Sequence, residues 1–186
     1  MAQKQFQSFT TYFSGRINKP VNKVGIALPN QNSNKSPTHK YKAIWDTGAT
    51  NCVITKKVVQ DLGLKPFSKR KVISVHGEQT ANVYYVDIFP PSKVCIQRII
   101  AFETSSLAGE VEMLIGMDVI ALGDFSITHA KGKSIMSYRT PSIKDIDYVA
   151  ESRKITNKSL KHGSKSRKTI KANRKKEKKN KKARKK

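Results

Sequence analysis

The sequence predicts a mostly β domain with one or two short helices, followed by a basic tail. In the first 150 residues, short apolar runs and period-two alternation are broken by Gly, Pro and Asn, and long helical periods are few. Positive charge is concentrated after this point: residues 151–186 hold 18 Lys and Arg against two Glu, a net charge of +16 out of +24 for the chain. This contrast predicts two parts with different physical behaviour.

The chain length of 186 residues allows one domain with a sizeable core and an appendage. From Lys171 to the end there is no aliphatic residue larger than alanine. Such a segment buries too little apolar surface to offset its ordering entropy, which predicts disorder. We therefore expect an N-terminal strand or arm over 1–20, a folded domain over 21–141 and a basic disordered tail over 142–186.

Within the domain, apolar runs predict seven strands and two short helices. The predicted strands are Val24–Leu28, Tyr41–Trp45, Cys52–Ile54, Val72–Val75, Ala81–Ile88, Val94–Phe102 and Val111–Ile115. The predicted helices are Lys56–Leu62, ended by Gly63, and Asp118–Leu122, ended by Gly123. Turn-forming residues predict an exposed loop over Pro29–Lys40 and hairpin turns at 76–79 and 131–133.

Several classes of protein are excluded by what the sequence lacks. Two cysteines are too few for a disulfide framework, and no Cys/His cluster has zinc-binding spacing. The chain has no phosphate-binding glycine pattern, no signal-peptide pattern and no run approaching about 18 apolar residues. We expect no metal, no cofactor and no membrane partner, and a cytoplasmic location.

The segment Asp46-Thr47-Gly48-Ala49 carries the chemistry. A carboxylate at the end of a buried strand is costly unless it is used. Gly48 lets backbone amides approach the carboxylate without a Cβ clash, Thr47 supplies a hydroxyl able to hold neighbouring backbone, and Ala49 keeps the adjacent space small. The tripeptide Asp-Thr-Gly alone is weak evidence, because such sequences often form Asx-type turns.

A second element lies about seventy residues later, where Leu114-Ile115-Gly116 precedes a predicted short helix. The text AIWDTGATNCVIT at 43–55, LGL at 62–64 and MLIGMDVIALGDFSIT at 113–128 resembles the retroviral-type (retropepsin-like) aspartic proteases, in particular their bacterial and phage relatives. The resemblance covers about residues 20–140. It implies an all-β, single-lobe retropepsin-like acid protease barrel.

The resemblance also implies roles for individual residues. Asp46 would be catalytic and Thr47 would bond across to a partner subunit, with Gly48 and Ala49 supporting the site. The apolar pair Leu114-Ile115 and Gly116 would pack beneath the active-site loop. A flexible hairpin, the flap, would span about Val72–Asp87, with His76 and Gly77 near its tip.

Counting carboxylates predicts a dimer. Peptide hydrolysis by this route needs two carboxylates that share one proton around a water, and the chain contains one Asp-Thr-Gly. A second Asp46 must come from another copy across a two-fold axis. The sequence therefore predicts a homodimeric aspartic endopeptidase acting on polypeptides, with the segments Gln5–Phe13 and Ser134–Pro141 as candidate dimer strands.

Two other functions remain open at this point. One is a binding module with the same fold and no proteolysis, although an intact Asp46 motif argues against it. The other is a nucleic-acid or ribosome-associated protein that contacts phosphates through residues 151–186 without sequence preference.

The remaining candidate residues have structural interpretations. Asp118 is either a second acid or, as we expect, an acid stabilised at a helix start. The other expectations are buried free thiols at Cys52 and Cys95, a turn or surface position for Asp124, packing for Trp45, and substrate contact by one of Tyr84 and Tyr85.

Overall fold

The computed structural model describes residues 7–29, 39–74, 77–92 and 95–158. It contains ten strands: β1 Gln7–Phe13, β2 Val21–Ala27, β3 Lys40–Trp45, β4 Cys52–Thr55, β5 Ser68–Ser74, β6 Gly77–Phe89, β7 Ile96–Thr104, β8 Met113–Ile115, β9 Asp124–Ala130 and β10 Lys133–Thr140. Two helices lie among these strands, α1 Lys56–Leu62 and α2 Met117–Ile120. The chain divides into two compact units, Met1–Ile143 and Lys144–Lys186.

The first unit contains a large and a small sheet. The large sheet has the strand order β2-β3-β8-β4-β7-β6-β5, and an additional β2–β6 pairing closes it into a barrel. The small sheet has the order β1-β10-β9 and is antiparallel throughout. The predicted all-β class with one or two short helices in a single lobe is confirmed.

An aromatic cluster joins the two sheets. Trp45 at the end of β3 is 3% exposed, and its ring lies 5.7 Å from Phe125 of β9 and 5.1 Å from Tyr138 of β10. Phe9 of β1 packs against the same indole at 5.7 Å. The indole Nε1 donates to Asn22 Oδ1 at 3.1 Å, so its polar atom is satisfied. The expectation that Trp45 serves packing agrees with this position.

Local sequence signals correctly predicted the helix α1 and the hairpin that joins β9 to β10. The helix α1 has the predicted bounds and ends at Gly63, whose φ of 59° is the left-handed conformation that glycine adopts without strain. Lys131 and Gly132 have φ values of 52° and 75°, and they turn the chain between β9 and β10.

Other boundaries differ from the prediction because the ladders continue through polar residues. β5 begins at Ser68 and β6 at Gly77, both about four residues earlier than predicted. The added residues are mostly exposed and polar, so no apolar run marked them as strands. β8 is limited to Met113–Ile115, and β7 extends to Thr104. Most of the predicted loop over Pro29–Lys40 lies outside the described residues.

The short helix α2 ends earlier than predicted, and Gly123 has a different role. A Cβ at Gly123 would lie 1.9 Å from the carbonyl oxygen of Arg139, so β10 can approach only a glycine there. The cap of α2 is Ala121 in a right-handed conformation. Close packing, and not a left-handed turn, explains this glycine.

The two terminal segments proposed as dimer strands pair with each other within one chain. β1 and β10 form an antiparallel ladder from Gln7 opposite Thr140 to Phe13 opposite Ser134. The alternation of these segments correctly predicted strands, but alternation does not specify a strand's partner.

In the second unit, residues 148–158 are helical, which the prediction of a disordered tail from residue 142 did not include. Asp147 caps this helix: its Oδ1 accepts the backbone N–H of Val149 at 2.9 Å and of Ala150 at 3.0 Å. The disorder argument rested on the residues from Lys171 onward, which lie outside the described residues, as does the whole segment 159–186.

Candidate active site

Asp46 lies directly after β3, in the first turn of a tight loop. Its backbone N–H donates to the Ile115 carbonyl at 2.9 Å, and its carboxylate Oδ1 accepts the Gly48 N–H at 2.9 Å. A Cβ at Gly48 would lie 3.2 Å from that same oxygen, closer than nearly all real Cβ contacts. The absence of a side chain at position 48 therefore lets an amide point at the carboxylate.

The loop is open on one side. Thr47 and Gly48 are exposed, whereas Asp46 and Ala49 are half-buried. The carboxylate is thus fixed from below by backbone and faces outward next to an accessible hydroxyl. Such a surface is available to a substrate or to a second copy of the chain.

The Leu114-Ile115-Gly116 segment lies against this loop. β8 runs between β3 and β4, with Trp45 opposite Ile115 and Val53 opposite Leu114. A Cβ at Gly116 would lie 2.6 Å from the Asn51 carbonyl oxygen and 3.0 Å from that of Ala49. Only glycine at 116 allows the loop to rest on β8.

A half-buried apolar row crosses the sheet beside Asp46. Strand alternation places Ile44 on the same side as Asp46. Leu114 is opposite Ile44, Val53 is opposite Leu114, and Phe102 is opposite Val53. All four apolar side chains are partly exposed. They form an apolar surface on which an extended chain could lie.

Sequence reasoning missed the contacts of Asp118, the second residue of α2. Its Oδ2 accepts the Cys52 backbone N–H at 3.1 Å, and its Oδ1 lies 3.2 Å from the Cys52 thiol. Burial, together with the Asp118 charge, raises the pKa of the Cys52 thiol well above its ordinary value, so the thiol is a proton donor here. The pairing of β4 with β8 creates this contact between residues 66 positions apart.

The hairpin β5–β6, which contains the proposed flap, extends from the sheet edge. Gly77 has a φ of 98°, which suits a turn, whereas His76 lies outside the described residues. At the base of the hairpin, the Phe67 and Tyr85 rings stack at 4.0 Å, and the Arg98 guanidinium lies 5.1 Å from the Tyr85 ring centre. Tyr85 is therefore the partly exposed tyrosine of the pair.

Tyr84 faces the opposite way and is 2% exposed. Its hydroxyl donates to Glu103 Oε2 at 2.6 Å, and burial together with this carboxylate raises its pKa to about 12. Asn82 donates to the same oxygen at 2.9 Å. Of the two tyrosines, only Tyr85 is placed to reach a ligand on the outer face.

Two other expectations need correction. Cys95 is only partly buried, unlike Cys52, because it lies just before β7 begins. Asp124 is not a simple surface residue: it accepts from Arg139, from the Ser142 hydroxyl and from the Ile143 N–H at 3.2 Å. These hydrogen bonds, Ser142 first, lower the pKa of Asp124 to about 2. The residue ties the segment after β10 to β9.

No group of three or more His, Cys, Asp or Glu suited to a metal occurs in the part of the chain that the structure describes. In the same part, no helix is long and apolar enough to cross a bilayer. The described site is thus built from one carboxylate, its backbone donors and an apolar floor.

A model of the aspartyl protease family matches residues 32–119, a segment that includes Asp46, Gly116 and Asp118. The resemblance drawn from the sequence motifs is confirmed by this match. No curated protein matches the chain significantly.

Solved structures similar to this chain include two retropepsin-like enzymes. A retropepsin-like aspartic protease from Rickettsia conorii is 19% identical, with 75% of this chain and 98% of that chain covered at a TM-score of 0.47. The simian foamy virus protease is 18% identical, with 54% and 91% covered at 0.39. A Legionella pneumophila protein of unknown function is 17% identical, with 54% and 82% covered at 0.33.

Proposed function

We propose that the protein is an aspartic endopeptidase whose active site forms between two copies of the chain, each contributing Asp46. The observation that carries the proposal is the Asp46 loop itself. Its carboxylate is held by an amide at 2.9 Å, its floor requires glycine at 116, and its outer side is open. The aspartyl protease family match over this segment supports the same reading.

The chemistry follows from bringing two Asp46 carboxylates together. Two like charges about 3 Å apart cannot both ionise, so the pair holds one proton in common. The ionised member takes a proton from a water between them while the protonated member donates to the scissile carbonyl oxygen. The water oxygen bonds to the carbonyl carbon and forms a tetrahedral diol. The diol then collapses with cleavage of the C–N bond: the leaving amine takes the proton that the first Asp46 received from water, and a diol hydroxyl returns a proton to the second Asp46. Gly48 N–H donates to Asp46 Oδ1 at 2.9 Å and so orients the carboxylate.

A second copy fits the open side of the loop. The chain has one Asp-Thr-Gly segment, and Thr47 beside it is exposed, so its hydroxyl is accessible to a partner. Isologous association would place each Thr47 against the other subunit and bring the two Asp46 residues together. The strands β1 and β10 already pair with each other within one chain. The proposed contact between copies is therefore placed at the loop and not at these strands.

The substrate class is an extended, unfolded polypeptide. The row of Ile44, Leu114, Val53 and Phe102 beside Asp46 offers apolar contact, and the β5–β6 hairpin is the element able to cover a bound chain. We place this activity in the cytoplasm.

Incubation of the purified protein with an unstructured protein tests the proposal. Cleavage should be blocked by a pepstatin-type inhibitor and abolished in Asp46→Asn, which removes both acids of the dyad at once. Circular dichroism shows whether the variant keeps its fold. Comparable cleavage by a folded Asp46→Asn preparation would refute the assignment.

A separate proposal concerns the basic segment. The net charge of +16 over 151–186 favours binding of nucleic-acid phosphates, with affinity that falls steeply as salt rises. A chain ending at Ala150 should keep proteolysis and lose most binding to RNA or DNA. If that shortened chain binds a polyanion as tightly at low salt, the basic segment is not the contact.

A further inference from the structure

The short strand β4 is held at each end by one carboxylate from a distant part of the chain. At its start, Asp118 bonds to Cys52; at its end, Glu112 accepts the hydroxyl of Thr55. The two contacts are similar in kind, but they differ in what they border. The Asp118 contact adjoins the loop that carries Asp46, and the Glu112 contact lies at the far end of β4.

The Asp118 contact belongs to a larger set of bonds between α2 and the loop. The backbone N–H of Met117 donates to Ala49 O at 2.8 Å, and that of Asp118 donates to Thr50 O at 3.1 Å. The carboxylate then takes the Cys52 N–H and lies 3.2 Å from the Cys52 thiol. The segment 49–52 is thereby tied to the start of α2 at three residues, Ala49, Thr50 and Cys52.

Of these contacts, only those of the Asp118 carboxylate are made by a side chain of α2. A substitution at position 118 would therefore remove them and leave the two backbone-to-backbone bonds in place. The Asp118 Oδ1 also accepts the Val119 N–H at 3.0 Å, so both oxygens are occupied by donors. Cys52 is fully buried, and an unpaired N–H there would have no access to water.

We propose that Asp118 is a positioning residue for the Asp46 loop, holding the loop's outgoing end through Cys52 so that the carboxylate of Asp46 keeps its reactive geometry. This inference rests on the proposed protease function. The incoming end of the loop is fixed separately by the bond from Asp46 N to Ile115 O. Because both ends of the loop are bonded to the rest of the domain, its movement relative to β8 and α2 is restricted. Misplacement by about 1 Å can cost on the order of 100-fold in rate.

The assignment also separates Asp118 from the proton chemistry. A second catalytic acid would need a free oxygen aimed at substrate, and both Asp118 oxygens are engaged by the loop and by α2. Asp118 therefore acts through the Asp46 loop and does not replace the partner's Asp46.

The test compares Asp118→Ala, Asp118→Asn and the matched control Glu112→Ala in the full chain. Turnover is measured per active site titrated with a tight-binding pepstatin-type inhibitor. Asp118→Ala should lower kcat by roughly 10- to 100-fold with KM changed little. Asp118→Asn should recover much of the loss, because its Oδ1 can still accept the Cys52 N–H. Glu112→Ala should keep wild-type kcat per site even where its Tm falls.

A second readout needs no protease activity. In a Cys95→Ser background, the buried Cys52 thiol should react with a thiol reagent at least about tenfold faster in Asp118→Ala than in Glu112→Ala, since only the first releases the loop.

Equal kcat per site in Asp118→Ala and Glu112→Ala would overturn the positioning role, as would equal labelling rates. A folded Asp118→Asn as inactive as Asp46→Asn would make Asp118 a proton carrier, which also overturns it. Failure of the proposed function looks different: the wild-type chain would then show no cleavage that depends on Asp46.

Discussion

The loop after Asp46 and the β5–β6 hairpin differ in how they are held to the rest of the domain. The loop is short and is bonded through Asp46, Ala49 and Thr50 to β8 and α2, and it leaves no room for a side chain at Gly116 beneath it. The hairpin is long, and its outer residues are exposed and mostly polar, with Ile73 as an apolar exception that is 87% exposed. Its edge strand β5 carries the run Lys69-Arg70-Lys71. The bonded loop with its floor at Gly116 and the exposed hairpin thus differ in residue type within one chain.

The difference has a physical basis in edge-strand chemistry. β5 is the outermost strand of the large sheet, and consecutive cations there disfavour pairing with another chain. The hairpin is therefore kept free of strand-to-strand association. The loop is instead anchored to the domain by backbone bonds at Asp46, Ala49 and Thr50.

The largest effect is expected at the floor. In Gly116→Ala the added methyl would lie 2.6 Å from backbone at Asn51, where no side chain can move aside. We expect a loss of about 3 kcal/mol in the free energy of unfolding, together with loss of cleavage. Urea denaturation measures the first quantity. Gly15→Ala is the control, since nothing lies within 4 Å of its new methyl.

A smaller effect is expected at the hairpin turn. Gly77→Ala also meets nothing within 4 Å, so its only cost is the left-handed φ of 98°. That strain amounts to about 1–2 kcal/mol and lowers Tm by a few degrees. Calorimetry compares the two glycine variants directly. A larger loss of stability in Gly77→Ala than in Gly116→Ala would reverse the proposed contrast between the β5–β6 hairpin and the floor at Gly116.

The smallest effect is expected at the base of the hairpin and depends on pH. Tyr84→Phe removes the bond to Glu103 at 2.6 Å and should cost about 1 kcal/mol near neutral pH. Because the folded-state pKa of Tyr84 is raised to about 12, its contribution is full below pH 10 and is lost as pH rises toward 12.

The stability difference between wild type and Tyr84→Phe should therefore shrink between pH 10 and 12. Equilibrium unfolding at several alkaline pH values measures it. A difference that stays constant over this range would mean that the tyrosine ionises equally in both states.

The floor was largely predictable from sequence, and the reasons are local. An acid followed by Thr-Gly marks the turn, and an apolar pair before Gly116 marks the segment packed below it. Gly63 likewise marks the end of α1, with φ at 59°. Each of these signals is a short run whose backbone demand can be met by few residue types.

What the sequence did not predict depends on contacts between distant segments. The bond from Cys52 to Asp118 exists only because β4 and β8 are neighbours. The pairing of β1 with β10 within one chain is likewise a choice of partner, which alternation leaves open. The full length of the β5–β6 hairpin was not predicted, because its polar residues pair as strands although neither of their two strands buries a face there.

The central claim is that two copies of Asp46 form one active site, and subunit mixing tests it most directly. Wild-type protein is mixed with an equal amount of Asp46→Asn, and exchange is demonstrated independently by a size or fluorescence tag. Half of the wild-type chains then sit in mixed dimers with one acid, so activity should fall to about half of that of the wild type alone. Activity that stays proportional to wild-type chains after proven exchange would contradict the account and place the second acid within a single chain.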